Sequence, residues 1–600
     1  MPQRLLRATR AACVLLLAAA LAAQPARAAD PAKVLRVAMP IAETSFDPAF
    51  ATDAASDSII DNIFDSMLEY DYLARPVKLV PRALEAMPTV EEGGRAYLCR
   101  VRKGIYFTPD PAFKGKRREL TAADFAYGMK RLLDPKVKAP WAFLIEGKVQ
   151  GAHEAFTAAE KAGRFDYDAP IAGLELVDRY TLRIRLVAPD LRFPYVLAVP
   201  NVAAQAREVV EAYGDDIGAH PVGTGPYKLG DYKRATRIVL DANPDYRRKT
   251  YEPSGPIPAT AVPVANALKG RALPIVGRVE VNIIEENQSR MLAFLNGQLD
   301  LLEIVPIDFT DQILDANGKL KPELAAKGIV HDVLLRPNTW WTYFNLEDPV
   351  VGGYAPEKIA LRRAISMGYD NASFIRIGLK GRATPANGPI PPDIAGFDPA
   401  LRTDAQIYDP VAARALLDKF GYKDRDGDGY RETPDGKPLT IERWSTPNSG
   451  SRVGDELWKK NMDAIGIRIV VKKDRTPELR KMARLGKIPM RADGWNADYP
   501  DAENFMQLLY GPSGPENNSR FNLPEFNRLY EQARTLPDGA ERTKLFDRMT
   551  LLVIAYAPYR MTYHLLEDNV RHPWVGAYMP HPIRSEWWQY IDVDPAKRGG

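Results

Sequence analysis

The stretch RVEVNIIEENQSRMLAFLNGQLDLLEIV, Arg278 to Val305, decides the fold class. RVEVNIIEE reads as a strand, NQSRMLAFLNG as a helix with Gly297 as its stop, and LDLLEIV as a second strand. Strand, helix and strand in succession belong to an α/β layer architecture, in which helices cover a sheet. The order recurs further along. Asp409-Pro410 opens a helix at the N-cap and first-turn positions, VAARALLDKF runs through it, and Gly421 closes it. Asp455 to Ile465 then reads as a helix and Ile467 to Lys472 as a strand, so two separate α/β regions are expected.

Nearer the start, Lys33 to Pro40 (KVLRVAMP) alternates apolar and polar residues as a half-buried strand does, and the loop Ile41 to Pro48 follows. TAADFAYGMKRLLDP, Thr121 to Pro135, begins with an N-cap threonine, has Asp124 three residues on, and places Phe125, Met129, Leu132 and Leu133 at helical spacing. Proline is abundant, 50 in 600, but spread along the chain, so it marks turns rather than one disordered linker. Pro-rich Tyr251 to Pro274 is too long for a structureless loop and should hold short helical or extended pieces.

Residues 1–28 read as an export leader: Arg4, Arg7 and Arg10, an apolar run from Ala11 to Ala23, and Ala26-Arg27-Ala28 as the cleavage site. Cys13 lies inside the apolar run, so it is not a lipid-attachment site, and a product in the periplasm without a lipid anchor is expected. The four leader arginines account for the formal charge of +4, leaving a neutral mature chain. That balance excludes the basic excess of a nucleic-acid binder or of a protein held on an anionic membrane. Only Cys99 follows the leader, so no internal disulfide can form, and stability must come from a large core. No later apolar run approaches the roughly 18 residues that span a bilayer, so no stable membrane insertion is expected.

Signatures of catalysis are missing: G-x-S-x-G, G-x-x-x-x-G-K-[ST], H-E-x-x-H and G-x-G-x-x-G are all absent, and no two of the six histidines stand at i, i+4. No catalytic residue, cofactor or metal ligand is assigned. Asp424-Arg-Asp426-Gly-Asp428-Gly429-Tyr-Arg-Glu432 imitates the start of a calcium loop, but position 12 is Asp435 after Pro434 rather than glutamate. A polar turn explains the same residues, and the sequence leaves calcium binding there open. Aromatic residues gather at Thr339 to Phe344 (TWWTYF) and around Trp495 and Tyr499, where they serve equally as core or as rigid pocket walls. Adjacent Trp340 and Trp341 on a strand must face opposite sides.

GWNADYPDAENF, Gly494 to Phe505, follows a strand read over Lys487 to Trp495 and puts Asp498 just beyond its carboxyl end, where ligands of α/β proteins usually sit. The residues themselves are equally good turn chemistry, with aspartate accepting backbone N–H groups and proline fixing φ.

Several blocks in order resemble the extracellular solute-binding proteins that serve peptide and nickel ABC transporters. They are YLCRVRKGIYFTPDPAFKGKRRELTAADFAYGMKRLLDP (Tyr97 to Pro135), HPVGTGPYKLGDY (His220 to Tyr232), LAFLNGQLDLL, FNLEDPVVGGYAPEKIALRRAIS, ATPANGPIPP and GYKDRDGDGYRETPDGKPL. The resemblance implies an α/β, two-lobed periplasmic binding protein of the large peptide-binding subclass, type 2-like, with an extra domain inserted in lobe one. Lobe one is expected over residues 29–60, 218–337 and 562–600, the insert over 61–217 and lobe two over 338–561. It also implies capture of peptides or peptide-like solutes by lobe closure and delivery to a membrane permease and its ATPase, by a protein expected to be a monomer and not an enzyme. Alternatives are a non-peptide solute (nickel chelate, haem, oligosaccharide or organic cation) and, remotely, an exported hydrolase. In peptide-binding members, an aspartate aligned with Asp498 pairs with the ligand ammonium. Closure is expected to bring Glu43 and Thr44 opposite Trp495 and Tyr499, with Trp340 and Tyr343 completing the candidate ligand-binding set. The chain departs from the family around Pro253 to Pro274 and in its end, HPWVGAYMPHPIRSEWWQYIDVD, which leaves ligand identity and length undetermined.

Overall fold

Strand Asp30–Met39 runs parallel to Val276–Ile283, which is flanked on its other edge by the antiparallel hairpin Arg237–Ala242 and Tyr227–Lys233. These belong to a computed structural model of the chain that describes residues 29–51, 53–403, 406–584 and 587–598; the expected leader lies outside the described residues. Alternate side chains Leu35, Val37 and Met39, with Val279 and Val281, meet Phe46, Ile59, Ile63 and Trp588 in one core. The period of two in KVLRVAMP therefore has its ordinary cause, one wet face and one dry. The helix expected after Arg278 covers Asn287–Leu295. The strand after it shrinks to Leu301–Leu302, because Ile304 adopts a left-handed backbone (φ 56°) that ends the extended run.

A second antiparallel sheet of Thr89–Glu91, Ala96–Arg100, Thr181–Arg185 and Leu174–Asp178 packs on the helix Ala122–Arg131 around its own core, which includes Cys99, Phe125 and Met129. Asp124 accepts the Thr121 N–H at 2.7 Å, the reciprocal bond of a capping box. The Pro-rich excursion holds a short helix, Val262–Leu268, and a strand pair, Lys249–Thr250 with Ala272–Leu273. It buries Leu268 and Leu273 against Tyr72, Leu73 and Tyr590.

The third sheet carries the rest. Its central strand, Tyr559–Arg571, pairs first with Asn338–Phe344 and then with Val330–Leu335. Asn338–Phe344 pairs in turn with Met490–Asn496, and Thr440–Ser445 and Arg468–Lys473 complete the order. One long strand thus spans two consecutive partners, which are separated at Arg336-Pro337. Proline cannot donate to a ladder, and Asn338 repairs the gap. Its side chain accepts the Leu565 N–H at 2.8 Å and donates to the Leu565 carbonyl at 3.0 Å.

Residues on opposite faces of Asn338–Phe344 enter different cores. Trp341 and Tyr343 join Phe505, Phe521 and Phe546, whereas Phe344 joins Leu361, Trp458 and Met462. The alternation required of Trp340 and Trp341 is present, with Trp341 buried and Trp340 half-buried. The helix expected from Asp455 begins at Ser449, where Asn448 accepts the Ser451 N–H at 2.8 Å. Its polar first turn, Ser449 to Arg452, shows no apolar periodicity, which is why the sequence pattern starts late.

Candidate functional site

Strand Met490–Asn496 ends at a loop of six residues before the short helix Glu503–Met506, and this loop forms the candidate site. The strand is held on both edges, antiparallel to Asn338–Phe344 and parallel to Thr440–Ser445. Gly494 lies directly opposite Trp340, whose indole covers it so closely that a Cβ there would meet ring carbons at 2.4 Å. Only glycine leaves room for that ring.

Asn504, fully buried at the start of the helix, organises the loop. Its Oδ1 accepts the Trp495 indole N–H and the Asp498 backbone N–H, both at 3.0 Å, and its Nδ2 donates to Asp498 Oδ2 at 2.9 Å. One amide side chain therefore fixes ring, backbone and carboxylate together. Asp498 Oδ1 has no hydrogen-bond donor and the carboxylate no ion pair within 4 Å among the described residues. Asp498 is exposed by surface area, yet its carboxyl is crowded by protein, and that burial pushes its pKa up against the opposing pull of Asn504 and the Arg584 guanidinium. Water reaches the carboxylate, but the protein packed around it disfavours its charged form.

Three residues on, Asp501 has the opposite surroundings. It is 3 % exposed and takes both guanidinium nitrogens of Arg542 at 2.7 Å. Burial pushes its pKa up, but Arg542 and Arg192 outweigh it and leave the carboxyl below its ordinary value. Tyr499, between the two aspartates, donates to Glu503, which also accepts from Tyr530, and its ring stacks on Tyr195 at 5.2 Å.

The other expected residues divide. Glu43 is 4 % exposed, and its Oε1 accepts from Tyr232 OH and Ala235 N–H, each at 2.8 Å, so this oxygen braces the Tyr227 to Ala242 hairpin, while its buried Oε2 has no hydrogen-bond partner among the described residues. Thr44 is exposed, but its hydroxyl donates to Asp53, the N-cap of the helix Ala54–Ile63, at 2.5 Å. Tyr343 is fully buried in a core, where desolvation holds its phenol well above the ordinary range. Trp340 stacks on Tyr563 at 5.9 Å on the sheet face opposite Trp341. Of the seven, only Trp495, Asp498 and Tyr499 form one constellation.

Sequence reasoning missed four contributors. Asn504 looked like an ordinary helix residue, and Tyr195 and Arg192 approach from about 300 positions away. Arg584, in the divergent C-terminal segment, donates to the Ala198 carbonyl at 3.2 Å and lines a cavity with Asp61, Tyr70 and Trp587. Asp57, held by Asn201 at 3.2 Å, is pushed up to about 6 by burial, which Arg584 only partly offsets. Only the departure of that segment from the resembled pattern hinted at its involvement.

The acidic turn imitates a site more openly. Oxygens of Asp424, Asp426 and Glu432 lie within 4.8 Å of one another. Each is nonetheless engaged: Asp424 accepts from Gly427 and Gly429 N–H at 2.7 and 3.0 Å, Asp426 from Asp428 N–H at 3.1 Å, and Glu432 from Arg425 N–H at 2.8 Å.

The chain as a whole is similar to known proteins. The model of the bacterial extracellular solute-binding proteins, family 5 Middle, matches residues 78–517. Di/tripeptide-binding protein 2 of Pseudomonas aeruginosa is 25 % identical over 589 residues, 96 % of this chain and 98 % of the relative. Heme-binding protein A of Haemophilus influenzae is 24 % identical over 563 residues, 92 % and 91 % of the two chains. Among solved structures, NikA from Brucella suis in complex with Fe(III)-EDTA aligns with a TM-score of 0.72 at 19 % identity, covering 94 % of this chain and all of the other. DppA from Helicobacter pylori in complex with the peptide STSA gives 0.68 at 21 % identity, covering 93 % and 98 %. These likenesses establish the two-lobed α/β fold.

Proposed function

The chain belongs to the bacterial extracellular solute-binding proteins of family 5, and from that premise we propose that it captures peptides or peptide-like solutes between its lobes for an ABC importer. The observation that carries the ligand class is the Asp498 carboxylate. It is accessible, oriented by Asn504, raised in pKa by its surroundings and, among the described residues, without a hydrogen-bonded cation. An ionised carboxylate in such a place is stabilised by an ammonium donor, whose charge-assisted bond is worth about 1.5–3 kcal/mol. Tyr499 and Trp495 beside it offer rigid apolar walls for the adjoining chain. The full-length similarity to a di/tripeptide-binding relative supports the same ligand class.

Lobe one is taken as residues 29–60, 218–337 and 562–600, the insert as 61–217 and lobe two as 338–561; the sheet built on Asp30–Met39 and the sheet built on Ala96–Arg100 support lobe one and the insert, while the sheet of Tyr559–Arg571 runs across the boundary between the lobes. The proposed protein is exported by its leader, works as a monomer, hands its ligand to a membrane permease energised by an ATPase, and leaves the ligand chemically unchanged. Among the described residues, no helix is long and apolar enough to cross a membrane.

One observation favours a second reading, the same fold with a non-peptide solute. Arg584 attracts Asp498 electrostatically and gives the cleft a cation of its own. A ligand without an ammonium then meets a partly compensated acid, and the haem-binding relative shows that neighbouring proteins differ in cargo. Native mass spectrometry of freshly purified protein separates the readings. Co-purified species with free amino termini are expected; a tetrapyrrole, metal chelate or sugar in their place contradicts the peptide assignment.

A further inference from the structure

The loop that carries Asp498 is gripped from the other side of the cleft by residues that touch no ligand group. Arg192 caps the short helix Phe193–Val196, and its backbone is fixed by Asp190, which accepts the Arg192 N–H at 2.9 Å. From there its guanidinium reaches three acceptors in the region 501–538. Nε lies 2.8 Å from Asp501 Oδ2, and Nη2 lies 3.1 Å from Asp538 Oδ1 and donates to the Leu536 carbonyl at 3.1 Å. The Nε contact is an ion pair rather than an aligned hydrogen bond. Three positions along, on the same face of that helical turn, Tyr195 stacks on Tyr499. Tyr195 is backed in turn by Tyr70 at 6.5 Å. Ala497, at the near end of the loop, packs against the cores on both sides.

The arrangement is asymmetric in a useful way. Asp501 keeps Arg542 whether or not Arg192 is present, because Arg542 lies in the same lobe and is itself 3 % exposed. Separation of the lobes therefore removes one guanidinium from Asp501 without stranding a bare buried carboxylate, and the expensive half of breaking a buried pair is avoided. Arg192 is 10 % exposed with this contact made, and it regains water when it leaves. Tyr499 likewise keeps Glu503 when it loses the Tyr195 ring. Both contacts are thus made and broken at low cost, as a reversible latch requires. They end on residues one and three positions from Asp498, so each closing event also fixes the loop that presents the carboxylate.

We propose that Arg192 and Tyr195 are positioning residues, a cross-lobe latch that acts through Asp501 and Tyr499 to hold the Asp498 loop and to populate the closed form before any ligand arrives. The latch rests on the receptor function proposed above, but it is blind to the chemistry of the ligand. Its loss lowers the competent population and weakens every ligand by a common factor, the reciprocal of the change in that population.

The test compares wild-type protein with Arg192→Ala, Arg192→Lys, Tyr195→Ala and Asp498→Ala. Small-angle scattering without ligand reads the lobe separation, and calorimetry with Ala-Leu and N-acetyl-Ala-Leu reads affinity. Arg192→Ala and Tyr195→Ala are expected to enlarge the ligand-free radius of gyration and to raise Kd for both compounds by one shared factor, about tenfold for Arg192→Ala. Arg192→Lys is expected to recover part of the loss, since lysine reaches Asp501 as a point charge but cannot also serve the Leu536 carbonyl. Asp498→Ala is expected to leave the radius as in wild type. Unchanged radii in both latch variants overturn the proposal, as does a loss confined to the free-amine peptide. If Arg192→Ala does not fold, Arg192→Lys and Tyr195→Ala decide by the same readouts. Enlarged radii together with equal affinity of Asp498→Ala and wild type for Ala-Leu remove the ammonium reading and leave the latch standing.

Discussion

Two aspartate-rich turns in the same half of the molecule have opposite accounts. In Asp424 to Glu432 the carboxylates accept backbone N–H groups of their own turn, and Asp428 pairs with Arg468 at 2.5 Å. In Asp498 to Asp501 one carboxylate is saturated by arginines and the other keeps an oxygen with no hydrogen-bond donor among the described residues. The first turn has more acids and the better-looking motif. The second holds the acid with something left to bind. Density of charge in a sequence marks a turn, whereas an unmet charge in a crowded place marks a site.

The comparison breaks first if the saturated member proves dispensable. Arg542→Ala leaves Asp501 buried with only the cross-lobe Arg192, and is expected to cost about 3–5 kcal/mol in denaturant unfolding. Asp426→Asn in the exposed acidic turn should stay within about 0.5 kcal/mol. Similar values for the two contradict the contrast.

Next in size is the pH dependence of ligand affinity. Asp498 has a pKa above its ordinary value in the unliganded protein. An ammonium partner favours the ionised form, so affinity is flat above that raised pKa. It is lost as pH falls through it, by up to about tenfold per unit. Titration calorimetry at a series of pH values checks this, and affinity that rises on acidification reverses the sign required.

Asp57 supplies a smaller test of the cleft. Its folded pKa of about 6 lies above the unfolded value, so the folded state holds the proton more tightly between the two. Stability from this group is complete below about pH 4 and lost as pH rises through 6. Asp57→Asn should therefore raise stability by about 1 kcal/mol at pH 8, after allowing for partial solvation, and change nothing at pH 4. Melting curves at both values decide it. Smallest of all, millimolar calcium should leave the melting temperature unmoved, because the carboxylates of the acidic turn already have partners. A clear rise with calcium, reversed by chelator, makes that turn a site after all.

Much of the fold was legible because its signals are local. Gly297 and Gly421 stop helices, Asp409-Pro410 starts one, and Thr121 with Asp124 announces another. Strand periodicity in Lys33 to Pro40 follows from one buried face. What stayed hidden was non-local. The long strand Tyr559–Arg571 joins two partners only because Asn338 bridges the break at Pro337, and no run of residues states that. The site shows the same division. Asp498 could be singled out by its place after a strand, together with a family resemblance. The burial of Glu43 beside Tyr232 and of Tyr343 in a packed core was not legible, since it depends on contacts between residues far apart in the chain. Asn504, the residue that aims the carboxylate, carries no signal in its own neighbourhood.

The central claim is that Asp498 receives the ammonium of the ligand. It is tested most directly by a calorimetric double cycle, in which Ala-Leu and N-acetyl-Ala-Leu are titrated into wild-type protein and Asp498→Ala. A coupling of about 1.5–3 kcal/mol between the amine and the carboxylate is the predicted result. Losses that simply add, with acetylation weakening both proteins alike, contradict it.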